Sequence, residues 1–116
     1  MCGIAGFLDY SSPKIPYNLS EVATDMAETM YSRGPDHGGV WSDQRHHLAL
    51  SHRRLAVIDL SSNGHQPMLS DDKRYAIVFN GEIYNFLELK KTLSGMGHSF
   101  TGTSDTEVLL QACVVW

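Results

Sequence analysis

The chain has 116 residues, 42% of them hydrophobic and 9% aromatic, enough for one domain with a packed core. Nine basic residues against 13 acidic ones give a net charge of −4 with no basic stripe, which argues against a nucleic-acid partner. No apolar run approaches the roughly 20 residues of a membrane span, no signal-peptide pattern precedes Cys2, and two cysteines, Cys2 and Cys113, make no disulfide framework, so a reducing cytoplasm is the expected setting.

Residues 3–9 predict a first strand, apolar on both faces at Ile4, Ala5, Phe7 and Leu8. Just before it stands Met1-Cys2-Gly3. Once Met1 is removed, Cys2 carries both a thiol and a free α-amine, and such an amine titrates near ~7.7–8.0, so it can act as a base at neutral pH. The alternative is a small apolar residue packed at the start of a buried strand. Pro13 and Pro16 mark residues 10–17 as a loop. Asn18 and Glu21 have capping-box spacing and open a helix to about residue 31, with Val22, Met26 and Met30 as its expected buried stripe. Gly34-Pro35 stops that helix, because proline disfavours helical geometry in its predecessor.

A strand pair is expected through residues 39–41 and 47–51, followed by another apolar stretch at 55–60. Ser61-Ser62-Asn63-Gly64 is turn chemistry, and Pro67 keeps the next residues out of a central ladder. Asp71-Asp72 turns a hairpin into a strand over 74–80, where Tyr75, Ile77 and Phe79 face one way and Ala76 and Val78 the other. Neither face is polar, so this sheet is expected to be covered on both sides. Asn85 and Glu88 repeat the capping-box spacing and open a helix with Phe86, Leu89 and Leu93 on one side, ended by Gly95 or Gly97. A short strand is expected at 98–101. Ser104 and Glu107 then cap a last helix with Val108, Leu109, Ala112 and Cys113 inward. The pattern is a layered α+β chain, and periodicity alone does not separate it from other layered folds.

Six histidines raise the question of a metal. His46 and His47 are adjacent and point to opposite faces of a strand, while His37, His52, His65 and His98 show no ligand spacing and no CxxC accompanies them, so no metal is expected. Arg33-Gly34-Pro35-Asp36-His37-Gly38-Gly39 lacks the lysine and the glycine order of a phosphate loop.

Five segments together carry a specific signal: Met1-Cys2-Gly3-Ile4, Arg33-Gly34-Pro35-Asp36, Ser51-His52-Arg53-Arg54-Leu55-Ala56-Val57-Ile58-Asp59, Asn80-Gly81-Glu82-Ile83-Tyr84-Asn85 and Ser104-Asp105-Thr106-Glu107. In this order they resemble the glutaminase domain of class II glutamine amidotransferases, closest to the glutamine-hydrolysing asparagine synthetases. The resemblance covers essentially the whole chain. It implies a four-layer αββα sandwich of N-terminal-nucleophile hydrolases. It also implies hydrolysis of L-glutamine to glutamate and ammonia through a cysteinyl thioester, with Cys2 as nucleophile.

In that resemblance Asn80 and Gly81 match the oxyanion hole, where losing one donor typically costs about 2.7–4 kcal/mol in barrier. Read alone, Asn-Gly is an ordinary turn dipeptide. Arg54 matches the residue that grips the substrate α-carboxylate, a task suited to a planar guanidinium. Arg53, on the opposite face, is expected to be a solvated surface charge. Backbone groups of Leu55, Val57 and Ile58 match the pocket wall. Asp105 matches the partner of the α-ammonium, with Glu82 behind it; alternatively Asp105 is only a first-turn helix acid.

The resemblance further implies a longer domain than residues 1–116, so the sandwich is expected to be incomplete at the C-terminus. The downstream synthetase domain, where ATP and magnesium would bind, is expected to be absent, and no cofactor is expected in this segment. Uncovered edges and apolar faces then imply self-association or a swapped dimer. Ammonia would serve an asparagine-synthetase-like amide-forming reaction in a synthetase domain or subunit. The alternative is an inactive or regulatory glutamine-binding fragment that keeps the pocket without turnover.

Overall fold

Three strands, β1 (Gly3–Leu8), β2 (His37–Asp43) and β3 (Leu48–Arg54), form an antiparallel sheet in the order β1-β3-β2. This is a computed structural model, and it describes residues 1–57 and 61–116. The register pairs Gly3 with Arg53 and Leu8 with Leu48 across one side of β3, and His37 with Arg54 and Asp43 with Leu48 across the other. Side chains of a strand alternate between faces. One face therefore carries Ala5, Phe7, Ala49, Ser51, Arg53 and Val40, and the other carries Ile4, Leu8, Leu50, His52, Arg54 and Trp41.

The first face is covered by α1 (Leu19–Glu28). Its N-cap is the expected one: the Asn18 side-chain oxygen accepts the N–H groups of Ser20 at 2.9 Å and Glu21 at 3.3 Å. The buried stripe is Leu19, Ala23 and Ala27, not Val22, Met26 and Met30, which are half-buried at the flank. Alanines at successive turns let the helix axis approach the sheet, and Leu19 and Ala23 meet Ala49 with Phe7, Ile15 and Val40 around them. The helix ends at Glu28, and residues 31–33 make a separate 3₁₀ turn before Gly34-Pro35.

β4 (Met68–Leu69) and β5 (Ala76–Ile77) make a short hairpin. The strand expected over 74–80 is paired only at Ala76 and Ile77, and none of its residues is fully buried, so the cover expected on both sides is not complete. The turn before it is held by side chains: the Ser70 hydroxyl accepts the Tyr75 N–H at 3.0 Å, and Asp72 accepts the Arg74 N–H at 3.0 Å.

α2 (Phe86–Gly95) forms where expected and buries Leu93, but Asn85 makes no side-chain cap. Its φ of −98° and ψ of 23° lie outside the extended geometry of a capping residue. The C-terminus is closed as a Schellman turn, with Gly97 N–H on Ser94 O at 3.0 Å, His98 N–H on Leu93 O at 3.1 Å, and Gly97 at φ +97°. No strand forms at 98–101.

α3 (Asp105–Val115) follows, capped by the Ser104 hydroxyl on the Thr106 N–H at 3.1 Å. Glu107 does not complete a capping box; it accepts the N–H groups of Thr101 at 2.7 Å and Gly102 at 2.8 Å and so ties down the loop that replaces the expected strand. Leu110 is buried instead of Leu109, and Cys113 is exposed. Among the described residues the architecture is α+β, two small sheets with three α-helices.

Candidate active site

Cys2 sits one residue before β1, beside the end of β3. Its sulfur takes the Leu55 N–H at 3.3 Å and lies 3.6 Å from the Leu55 carbonyl, while the Arg33 Nε donates to the Cys2 carbonyl at 3.3 Å. The Arg33-to-Asp36 segment is therefore a bracket. Arg33 holds Cys2, the Gly34 carbonyl accepts from Arg53 Nε at 2.9 Å, and Asp36 takes the Ala56 N–H at 2.8 Å while its own N–H donates to Arg54 O at 3.0 Å. Cys2 and residues 54–56 are held in place by one loop.

Arg53 and Arg54 point to opposite faces as alternation requires, and both are buried. Arg53 is not a solvated charge. Its guanidinium sits under α1, paired with Glu28 at 3.1 Å and lying over the Tyr31 ring at 4.6 Å, because the helix end and the 3₁₀ turn close over that face. Arg54 points into the other side, where its Nη1 donates to Ser61 O at 2.7 Å. Gly64 makes room for it, since a Cβ there would overlap the guanidinium.

A cavity of about 450 Å³ opens at this point, lined by Cys2, Arg54, Leu55 and Val57 on one side and Asn80, Gly81, Glu82 and Asp105 on the other. All the expected site residues that can be placed thus share one cavity; Ile58 lies outside the described residues. Leu55 is 38% and Val57 69% exposed, so they form rim rather than core. Asn80 and Gly81 follow the hairpin strand and are open to solvent. Asp105 is buried at the head of α3, and its Oδ2 accepts the Ile83 N–H at 3.0 Å, which ties the 80–85 loop to the helix. Met1 also lines the cavity, with most of its surface exposed.

Sequence reasoning missed two buried groups here. His52 is fully buried and lines the cavity. Burial, helped by the nearby Arg54 and His37 charges and opposed by the Phe79 backbone, lowers it to about 4, so the ring is neutral at pH 7. The signal was available: His52 is two residues from Arg54 and shares its face. His37, whose ring stacks on His65 with centroids 3.4 Å apart, is lowered too, first by burial and then by the charges of His65, Arg54 and Arg53. Gln66, the second missed group, bonds the Phe79 backbone. Among the described residues no group of three or more His, Cys, Asp or Glu side chains is arranged to hold a metal ion, and no helix is long and apolar enough to cross a membrane.

Residues 1–116 match the glutamine amidotransferase domain family along their whole length. The chain belongs to that family. It is 42% identical over 118 residues to asparagine synthetase [glutamine-hydrolyzing] 3 of Bacillus subtilis, covering 100% of this chain and 18% of that protein. Asparagine synthetase [glutamine-hydrolyzing] 1 of the same organism is 40% identical over 110 residues, covering 95% of this chain and 17% of its own length. An amidase of Gibberella zeae is 33% identical over 117 residues, again across 95% of this chain and 17% of the relative. The chain thus spans less than a fifth of each of these relatives.

Proposed function

We propose that the chain is the glutamine-hydrolysing part of an amide-forming enzyme. The observation that carries this reading is the single cavity in which Cys2, Asn80 and Gly81 meet Arg54 and Asp105. Its volume of about 450 Å³ suits one amino acid, since small-molecule sites run from about 300 to 1,000 Å³. A guanidinium and a carboxylate together match the two charges of an amino-acid head group, leaving the side-chain amide to reach the sulfur.

The chemistry follows from these groups. With Met1 removed, the Cys2 α-amine takes the thiol proton and the sulfur attacks the glutamine amide carbon, forming a C–S bond. The carbonyl oxygen becomes negative and is held by the Asn80 side-chain amide and the Gly81 N–H. The amine returns its proton to the leaving nitrogen, the C–N bond breaks, and ammonia departs. Water, deprotonated by the same amine, then attacks the thioester carbon; the C–S bond breaks and glutamate is released. Arg54 and Asp105 hold the substrate through all of these steps, with Glu82 beside them.

The ammonia would pass to a synthetase domain or subunit that activates a carboxylate acceptor with ATP and magnesium; the names of the relatives support aspartate as that acceptor. For a domain of this family we infer the four-layer αββα sandwich. Supporting this, the sheet face opposite α1 carries Ile4, Leu8, Leu50 and Trp41, with Ile4 45% and Leu8 44% exposed, a face suited to a second sheet. A glutamine-binding fragment without turnover is the second reading, and Met1 at the cavity favours it wherever processing fails.

The test is ammonia release from glutamine by the purified chain lacking Met1. Release that disappears in Cys2→Ala is expected; equal release from Cys2→Ala would rule out the cysteine as nucleophile.

A further inference from the structure

Gln66 stands in the loop between Arg54 and the β4–β5 hairpin, outside every motif that pointed to the site. Its side chain is buried and makes three hydrogen bonds. The Oε1 accepts the Phe79 N–H at 2.5 Å, and the Nε2 donates to Phe79 O at 3.2 Å and to Thr106 Oγ1 at 3.2 Å. A primary amide thus takes the place of a neighbouring strand, pairing both backbone groups of one residue. The Gln66 backbone is seated against β2, where a Cβ on Gly39 would overlap its carbonyl.

The position of these bonds matters more than their number. Phe79 directly precedes Asn80 and Gly81, and Thr106 directly follows Asp105. One side chain joins the segment carrying the oxyanion donors to the helix head carrying the carboxylate. Three of the four donor and acceptor sites of this buried amide are used, so the side chain is held at both ends.

We infer that Gln66 is a positioning residue that sets the spacing between the Asn80–Gly81 oxyanion donors and Asp105, and hence between the reacting amide and the head group of glutamine. The inference rests on the glutaminase reading. Gln66 itself touches no reacting atom in this role; it acts through Phe79 and Thr106. A side chain one methylene shorter cannot hold both ends, and a misplacement of about 1 Å can cost on the order of 100-fold in rate.

The experiment compares Gln66→Asn and Thr106→Val with the parent chain. In Gln66→Asn, kcat for glutamine hydrolysis is expected to fall about 10- to 100-fold, while alkylation of Cys2 by iodoacetamide keeps the parental rate. Thr106→Val cuts only the arm to the helix head, so it is expected to raise KM for glutamine several-fold with kcat nearly unchanged. A lowered melting temperature with parental kcat and KM in Gln66→Asn would make the residue merely structural and overturn the inference. Amide exchange gives a readout that needs no turnover: protection at Phe79, Asn80 and Gly81 is expected to drop in Gln66→Asn, and unchanged protection would overturn the clamp. If the parent chain releases no ammonia, the glutaminase reading is what has failed, and the positioning role falls with it even where the exchange result stands.

Discussion

The Leu55 backbone N–H donates to the Cys2 sulfur at 3.3 Å, which fixes the side chain just before β1 against the residue that follows Arg54. The proposed nucleophile and the proposed head-group cation are thereby set on one short stretch of structure, braced from behind by Arg33 and Asp36. In the proposed glutaminase, substrate geometry depends on two junctions, this one and the Asp105–Ile83 bond across the cavity.

An α-amine acts as base only when it is free. A chain whose N-terminus is extended by a short uncleaved tag should therefore bind glutamine, by calorimetry, and release no ammonia. Turnover by the extended chain at the rate of the processed one would remove the amine from the mechanism.

Arg54→Ala should raise the glutamine KM about 10- to 100-fold, since a hydrogen-bonded charge pair is worth about 1.5–3 kcal/mol. Gly64→Ala should push in the same direction, because its methyl group would occupy the space of the guanidinium. Steady-state kinetics on both variants checks this, and parental KM values in both would reject the carboxylate role.

His52 makes stability fall on acidification. Its folded pKa of about 4 lies below the unfolded value of about 6.5. Above pH 6.5 both states are neutral and the residue has no effect. As the pH drops from 6.5 toward 4 the unfolded chain takes up a proton that the folded chain refuses, and stability is lost, on the order of 3 kcal/mol by pH 4. His37 acts in the same direction. Urea titrations between pH 4 and 7 should show this slope, and His52→Phe should flatten it; an unaltered slope would place the effect elsewhere.

Arg53 is a stability residue. Arg53→Ala removes a bond to Gly34, a contact with the Tyr31 ring and packing under α1, and should cost about 2–4 kcal/mol of unfolding free energy. Glu28→Gln should cost less than about 1 kcal/mol, because the Glu28 side chain is largely exposed. Equal losses in the two variants would mean that the ion pair, not the buried bonds, carries the contribution.

Local signals were legible where one residue type does one job. Asn18 caps α1, Gly97 closes α2, Ser104 caps α3, and the strand pair expected through 39–41 and 47–51 forms as β2 and β3. Signals that need a partner were not. The stripe of α1 shifted to Leu19, Ala23 and Ala27 because close approach to the sheet favours alanine over methionine, which hydropathy alone does not rank. Arg53 was misplaced because an arginine pattern carries no information about the helix end that later covers it. Cys2, Arg54, Asn80, Gly81 and Asp105 stand in legible motifs and share one cavity, and the strand alternation from Arg54 could have pointed to His52, whereas the Gln66 bonds are visible only in three dimensions.

The most direct measurement is the intact mass of the purified chain after incubation with an electrophilic glutamine analogue, with and without excess glutamine. Loss of Met1 and a single adduct at Cys2, suppressed by glutamine, is the predicted result. A chain that has lost Met1 yet gains no adduct, or an adduct that glutamine does not suppress, would contradict the cavity as a glutamine site.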